Sequence, residues 1–226
     1  GAYILDGTIN NPMAHYLFNA LFFASAEQGK AATPATVRAE LYHGHKIESE
    51  DTSCLEVVCD NGAKVYFYGS LCSEAENLIR ITVHGEKGRA IWGIHDDVPI
   101  YEGDRVARTI KSTGAVPHVE IFRNVARVHR GVEKSLRCPL AMTRPHVLAV
   151  NGAFESAGLP RQVAVDHLRY WDHPKNGAKM TSIVGIDELV HLAARERKLF
   201  SDLGVPWAYA TTPFSMEGYK EFRLPK

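Results

Sequence analysis

The sequence has no excess of charge of either sign, no long apolar run and few cysteines. Lysine plus arginine and aspartate plus glutamate number 26 each, so there is no basic field to favour nucleic acid, and we expect no nucleic-acid partner. No apolar run is long enough to span a bilayer, and no secretory leader is recognisable. We therefore expect a soluble, cytoplasmic protein that does not contact a membrane.

The 4 cysteines are too sparse and too irregularly spaced for a disulfide-stapled domain or for paired C-x-x-C zinc ligands. Cys54 and Cys59 fall on opposite faces of one predicted strand, which argues against a bridge between them. The sequence also lacks Gly-x-Gly-x-x-Gly after a strand, the turn that holds a dinucleotide pyrophosphate. We expect free thiols, no metal site and no cofactor-binding residues in this chain.

The sequence does contain clear helix and strand patterns, within one domain spanning 1–226. Its first segment, 1–30, carries a predicted helix that begins with Asn11 as N-cap and Pro12 in the first helical position and ends at Gly29. The sheet is expected over 35–110, further helices over 117–204 and an extended tail over 205–226. Alternating apolar residues predict strands over 36–43, 53–59, 63–71, 79–84, 89–94, 98–101 and 105–110.

The later helices are predicted over 117–130, 145–157 and 185–203. A helix, then antiparallel strands, then helices indicates an α+β fold, with an open, largely antiparallel sheet and helices on one face. Tyr66, Tyr68 and Trp92 place aromatic material on the sheet, and an exposed apolar face usually marks an interface. The sequence thus predicts a homo-oligomer formed through the open sheet face.

Polar side chains occur along the first helix and at a later helix start. Asn11, His15 and Asn19 follow one another at i, i+4 on a face distinct from the apolar stripe. Arg144 and His146 flank Pro145 at a predicted helix start, where an anion or a sugar hydroxyl would bind. Helix capping and surface exposure explain this second pair equally well.

Three further clusters are weaker candidates for a metal site. His43 and His45 lie on the same side of an extended segment with Asp51 nearby, which suits a metal ion. Such short motifs match by chance often, and we expect no metal there. The clusters 95–97 and 172–173 are interpreted as turn residues, and no serine shows the glycine pattern of a nucleophile elbow.

The segment Asp6-Gly7-Thr8-Ile9-Asn10-Asn11-Pro12-Met13-Ala14-His15 resembles the opening of the C-terminal domain of the Gfo/Idh/MocA oxidoreductases. Glu50-Asp51-Thr52, Val83-His84-Gly85-Glu86-Lys87-Gly88 and Asn151-Gly152-Ala153-Phe154-Glu155-Ser156-Ala157-Gly158 follow in the order seen in that family. The resemblance implies a sheet like that of the C-terminal domain of glyceraldehyde-3-phosphate dehydrogenase. It also implies the substrate-binding and oligomerisation domain of an NAD(P)-dependent oxidoreductase, acting on a CH–OH group of a sugar, inositol or related polyol.

The resemblance implies specific roles for the polar residues. His15 would be the catalytic base, since histidine exchanges a proton near neutral pH. Asn11 stands where the family more often has Asp, and an amide orients groups but relays no proton. Asn10, Asn19, Arg144 and His146 would bind substrate.

The Glu-Lys-Pro motif of the family is absent, so the resemblance implies that NAD or NADP is bound mainly by a separate Rossmann domain of the same protein. This chain alone is then expected to be inactive. One alternative is a non-catalytic, sheet-based dimerisation or sugar-binding module. Another is glycoside hydrolysis with transient oxidation, which leaves no net change in cofactor absorbance.

Overall fold

The computed structural model describes residues 6–75, 79–94 and 96–223, and the chain forms two compact units where the sequence predicted one domain. The first unit comprises residues up to 76 and from 144 onward, and the second comprises 77–143. The helices are α1 (Ala14–Phe23), α2 (Pro117–His129), α3 (Leu140–Ala157) and α4 (Ile186–Glu196). The strands are β1 (Pro34–His43), β2 (Thr52–Cys59), β3 (Lys64–Ser70), β4 (Arg80–Gly85), β5 (Gly88–Gly93), β6 (Val98–Glu102), β7 (Arg105–Ile110), β8 (Arg161–Gln162), β9 (Leu168–Asp172), β10 (Lys179–Ile183) and β11 (Phe214–Ser215).

The main sheet of the first unit is an antiparallel meander of β1, β2 and β3. The free edge of β1 is completed by two short strands from late in the chain, β11 antiparallel and β8 parallel. A separate antiparallel hairpin is formed by β9 and β10. The α+β class, the open antiparallel sheet and the predicted strands are confirmed, whereas the hairpin over 168–183 was not predicted.

Helices cover both faces of the main sheet, which corrects the prediction of helices on one face. Successive side chains of a strand point to opposite faces. One face, with Val37, Ala39 and Leu41, packs in a buried cluster with residues of α1 and α3. The other face, with Tyr42 and Cys54, packs in a second cluster with residues of α4 and the segment after it. The second face is covered because the chain returns to the sheet after α3.

The aromatic residues that suggested an open face in this sheet are partnered within the unit. The hydroxyl of Tyr68 donates to the carbonyls of Ala193 and Lys198, at 2.9 and 3.0 Å. The hydroxyl of Tyr66 donates to Glu56 at 2.9 Å. Among the residues of the first unit that the structure describes, the main sheet therefore presents no open apolar face, and the homo-oligomer stays a prediction.

The second unit contains the antiparallel sheet β4–β5–β6–β7 and the helix α2. These strands and this helix were predicted, but the prediction of one sheet over 35–110 is wrong, because β4–β7 form a sheet separate from β1–β3. Its apolar residues are poorly covered within the chain. Large apolar side chains that are exposed in this unit include Val106, Ile110, Ile121, Phe122 and Val125. Among the described residues, none of the helices combines the length and apolar character that a membrane crossing requires.

Three predicted helix boundaries are wrong. The helix α1 begins at Ala14, because the backbone amides of Asn10 and Asn11 bond to the carbonyl of Gly7 in a preceding turn, and it ends at Phe23. The peptide before Pro12 is cis, and Asn11 is not the N-cap. The helix α3 begins at Leu140, so Pro145 is internal. The helix α4 ends at Glu196, where the next residue adopts a left-handed conformation.

Candidate functional site

The loop before α1 is anchored on the residues that lead into β2. Gly7, Thr8 and Ile9 are buried, whereas Asp6 and Asn10 on either side are exposed. The backbone amide of Thr8 donates to the Glu50 carbonyl at 3.3 Å. The hydroxyl of Thr8 makes a hydrogen bond with the hydroxyl of Ser53 at 2.9 Å. The buried residues of the loop are thereby fixed, while Asp6 and Asn10 face solvent, as a binding surface requires.

Glu50 is buried directly under this loop, with 1% of its surface exposed. Its Oε1 accepts from the Ile9 amide at 3.2 Å, and its Oε2 accepts from the Ser49 hydroxyl at 2.8 Å. A Cβ on Gly7 would lie 2.0 Å from the carboxyl carbon, so only glycine allows this approach. Burial raises the pKa of Glu50, because the charged form loses its water shell.

His146 reaches the same loop from α3. Its Nε2 lies 3.0 Å from the carbonyl oxygen of Ile9. A carbonyl can only accept, so Nε2 carries the proton and Nδ1 keeps its lone pair in the neutral ring. Burial lowers the pKa of His146 and the charge of the nearby His15 lowers it further, while the hydrogen bond to Ile9 acts in the opposite direction. His146 is therefore a neutral imidazole at physiological pH.

His15 is exposed on the first turn of α1. Asn19 is partly buried one turn later on the same side of the helix. Asn11, in contrast, lies in the turn before the helix, and its amide donates to Asp6 at 3.3 Å. The predicted line of three polar residues along one helix face is therefore reduced to His15 and Asn19, with Asn10 and Asn11 on the adjoining loop.

Arg144 and His146 do not lie at a helix start, which corrects the basis of the predicted anion site. The unpaired amides of α3 belong to its first turn, which begins at Leu140. Arg144 is exposed, and residues two apart on a helix do not face the same way. The structure brings His146 to the loop before α1, and it does not place the Arg144 guanidinium beside it. The roles of all these residues in binding stay predictions.

A second polar cluster lies where β1 runs into β2. Ligand atoms of His45, Asp51 and Cys72 lie within 4.8 Å of one another, and these residue types suit zinc. The Asp51 carboxylate, however, already accepts from the amides of Gly44 and His45 at 2.9–3.0 Å and from His45 Nδ1 at 2.7 Å. Burial, followed by the charge of Asp51, raises the pKa of Cys72 to about 12.

The hydrogen bonds of Asp51 hold the segment between β1 and β2 in place. They occupy the acceptor positions of the Asp51 carboxylate without a metal ion. His43 is not part of the cluster, since its Nδ1 donates to the carbonyl of His45 at 2.9 Å. Asp172 ends β9 and pairs with Lys179 at 2.6 Å, as expected of a residue beside a turn. His95, of the remaining candidate cluster, lies outside the described residues.

Sequence reasoning missed the role of Glu50 in the site. Its signal was present, since Glu50 belongs to a motif that the resemblance singled out and Gly7 belongs to another. Nothing in the spacing shows that the two motifs meet. The contact between His146 and Ile9 was likewise absent from any local pattern.

No family model matches the chain, and no curated protein matches it. Among solved structures, it is similar to a UDP-N-acetylglucosamine 3-dehydrogenase, GnnA, from Acidithiobacillus ferrooxidans, with a TM-score of 0.54 and 16% identity over 63% of this chain. A putative oxidoreductase from Thermotoga maritima follows, with a TM-score of 0.49 and 17% identity over 65% of the chain. The WlbA dehydrogenase from Bordetella pertussis, solved with NADH and UDP-GlcNAcA, gives 0.44 and 18% over 65%.

These neighbours are oxidoreductases of the Gfo/Idh/MocA type. The chain spans less than half the length of each of the three, at 44%, 43% and 42%. At these identities, the likeness to the first of them shows a shared fold. Over 63% of its length, the chain thus shares the fold of a portion of that longer protein.

Proposed function

We propose that this chain is the substrate-binding domain of an NAD(P)-dependent oxidoreductase that acts on a CH–OH group of a sugar, inositol or related polyol. One observation carries the proposal. The Nε2 of His146 lies 3.0 Å from the carbonyl oxygen of Ile9, so α3 brings a second histidine to the loop that leads into α1 and His15. The fold shared with a UDP-N-acetylglucosamine 3-dehydrogenase supports the same reading.

The chemistry assigned to this chain is the handling of the hydroxyl proton. Oxidation of an alcohol to a carbonyl requires that the hydroxyl lose its proton to a base within hydrogen-bond reach. His15 is exposed and stands on a rigid first helical turn, so it is the residue we assign as that base. Asn11 is the residue assigned to orient the reacting hydroxyl, and Asn10 and Asn19 add amides that suit a polyhydroxy ligand.

We assign no dinucleotide site to the described residues of this chain. No strand-to-helix connection among the described residues carries the Gly-x-Gly-x-x-Gly pattern on which a pyrophosphate rests. NAD or NADP is therefore assigned to a Rossmann domain outside this chain. The chain alone is expected to be inactive.

The test uses the full-length protein encoded by the gene, assayed by cofactor absorbance with a panel of UDP-sugars, free sugars, inositols and polyols. His15→Gln removes the base and should lower kcat by about 100-fold or more. His191→Gln, at an exposed histidine of α4, is the matched control and should leave kcat unchanged. Equal activity of the two variants would contradict the assignment of His15.

The alternatives give different results in the same experiment. Binding of a sugar without any change in cofactor absorbance, and without hydrolysis, would favour the non-catalytic module. Release of a free sugar from a glycoside without net change in absorbance would favour hydrolysis with transient oxidation.

We also infer that self-association uses the second unit, since the main sheet of the first unit is covered on both faces. The helix α2 presents Ile121, Phe122 and Val125 to solvent, and Phe122 is 75% exposed. Exposed apolar patches of this kind mark interfaces. Light scattering on Phe122→Ser should report a smaller particle than wild type, and an unchanged mass would exclude this helix from the interface.

A further inference from the structure

A continuous set of contacts runs from a buried carboxyl to the imidazole of the proposed site. Glu50 Oε1 accepts from the amide of Ile9 at 3.2 Å, and the carbonyl of Ile9 accepts from His146 Nε2 at 3.0 Å. The Ile9 side chain is fully buried in the main core. Ile9 is thus held by its amide and its side chain, and the direction of its carbonyl follows.

The fixed carbonyl determines which hydrogen bond His146 can still make. With Nε2–H committed to Ile9, the neutral ring has only the Nδ1 lone pair to offer. His146 is partly exposed and not enclosed in the core. A group that binds at Nδ1 must donate a hydrogen bond, as a hydroxyl does and a fully ionised anion does not.

Protonation of His146 would reverse this preference, and the structure opposes it. Burial lowers the pKa of His146, and the charge that acts on it from a neighbouring element is that of His15 on α1. Both effects disfavour the imidazolium that an anion would require, and they outweigh the hydrogen bond to Ile9, which acts in the opposite direction. The contacts that connect Glu50 to the ring run through the backbone of Ile9.

The burial of Glu50 needs a reason of its own. Among the described residues, no lysine, arginine or histidine makes a salt bridge with Glu50, and burying an unpaired carboxyl is costly. Its hydrogen-bond partners from other residues are the Ile9 amide and the Ser49 hydroxyl. Through the first of these bonds, Glu50 fixes the backbone of Ile9 in the loop before α1.

We propose that His146 is a specificity residue that accepts a hydrogen bond from a hydroxyl of an uncharged polyhydroxy ligand, and that Glu50 is the positioning residue that holds it in that state through Ile9. This inference rests on the proposed function, since it names the ligand chemistry of the same site. It selects the hydroxyl over the anion, the two ligands that the sequence left open for Arg144 and His146.

The first test is made on this chain by nitrogen-15 NMR of the histidine rings. His146 should show the Nε2–H tautomer and a titration midpoint below 6.5, the ordinary value. Its Nδ1 signal should shift with at least one of glucose, N-acetylglucosamine, myo-inositol and glycerol, and should not shift with inorganic phosphate. A response to phosphate, or to none of the four neutral compounds, would overturn the proposal.

Variants of Glu50 test the positioning role separately. Glu50→Ala removes the acceptor for the Ile9 amide, so His146 should lose its single tautomer and titrate closer to 6.5. Glu50→Gln keeps an oxygen at that place and should restore the wild-type ring. A structural role alone would leave the tautomer of His146 unchanged in every variant that folds.

His43 is the internal control, because its Nδ1 rather than its Nε2 donates to a carbonyl. Its tautomer should be the same in all folded samples, and its loss would mark unfolding. If Glu50→Ala unfolds, Ser49→Ala serves in its place, since it frees the Oε2 of Glu50 and should broaden the His146 signal while sparing His43. An unaltered His146 signal in the folded replacement would refute the positioning role.

The full-length enzyme separates this inference from the proposed function. His146→Ala should raise KM for the active alcohol about 10-fold and change kcat less, since it removes a binding contact. A full-length protein that oxidises no alcohol defeats the proposed function, whereas the NMR result still decides the state of His146. An active enzyme whose KM is unchanged by His146→Ala defeats the inference alone.

Discussion

Gly7→Ala tests the packing beneath the candidate site. The added Cβ would lie 2.0 Å from the Glu50 carboxyl carbon and 2.1 Å from both of its oxygens. Glu50 is buried, so the carboxyl has no solvent to move into and must give up its bond to the Ile9 amide or to Ser49. The substitution therefore combines overpacking with the loss of a hydrogen bond to a buried group.

The expected cost follows from these two effects. Overpacking a tight site costs about 1–3 kcal/mol. An unsatisfied buried polar group costs about 1–3 kcal/mol more. The free energy of unfolding of Gly7→Ala should thus fall by roughly 2–6 kcal/mol, which urea denaturation followed by circular dichroism measures directly.

Gly29→Ala supplies a matched control in the same segment. Gly29 has a φ of +77° and no atom within 4 Å of a built Cβ, so its cost is backbone strain of about 1–2 kcal/mol without a clash. In a Glu50→Ala background the cost of Gly7→Ala should shrink, because the atoms that it strikes are gone. A cost for Gly7→Ala that is no larger than that of Gly29→Ala, or that persists without Glu50, would refute the reasoning.

Two further predictions concern buried ionisable groups. Burial raises the pKa of Glu40, so its protonated form adds stability below its ordinary pKa of 4.5 that is lost as the pH rises through the folded value. Glu40→Gln should therefore gain stability relative to wild type as the pH rises above 4.5, measured by urea denaturation, and a difference that does not change with pH would contradict this. Cys138 is exposed, so iodoacetamide should label it first in the folded protein, with mass spectrometry finding slower modification at the buried thiols Cys54, Cys59 and Cys72. Equal labelling rates would show that these thiols are accessible.

Alternation of apolar residues was sufficient to place the main strands. Val37, Ala39 and Leu41 on β1 share one buried cluster, as period two requires. It was not sufficient for β9, where Tyr170 is exposed and the strand belongs to a hairpin away from the main sheet. Burial does not alternate along β9, since Arg169 and Tyr170 are both exposed, which explains why the segment was missed.

The prediction of helices on one face came from the order of the elements, and the polar residues on the second face of the main sheet gave no sign that this face is covered. Arg38 and Glu40 alternate with apolar residues and look solvent-facing in the sequence. In the structure Arg38 pairs with Asp202 at 2.8 Å, and Glu40 accepts from the Ser201 hydroxyl at 2.5 Å. Their partners come from the segment after α4, and no local pattern contains that information.

A local sequence pattern identified His15, whereas the role of His146 depends on a contact between distant parts of the chain. His15 stands out in the sequence because a helix start and a motif surround it. The predicted helix start left an anion or a sugar hydroxyl open as the ligand of His146, with capping and surface exposure as an equal explanation. The helix begins earlier, at Leu140, and the Ile9 carbonyl takes the Nε2 proton. The choice between the two ligands thus depends on a contact with the loop before α1, and Glu50 holds that loop in place.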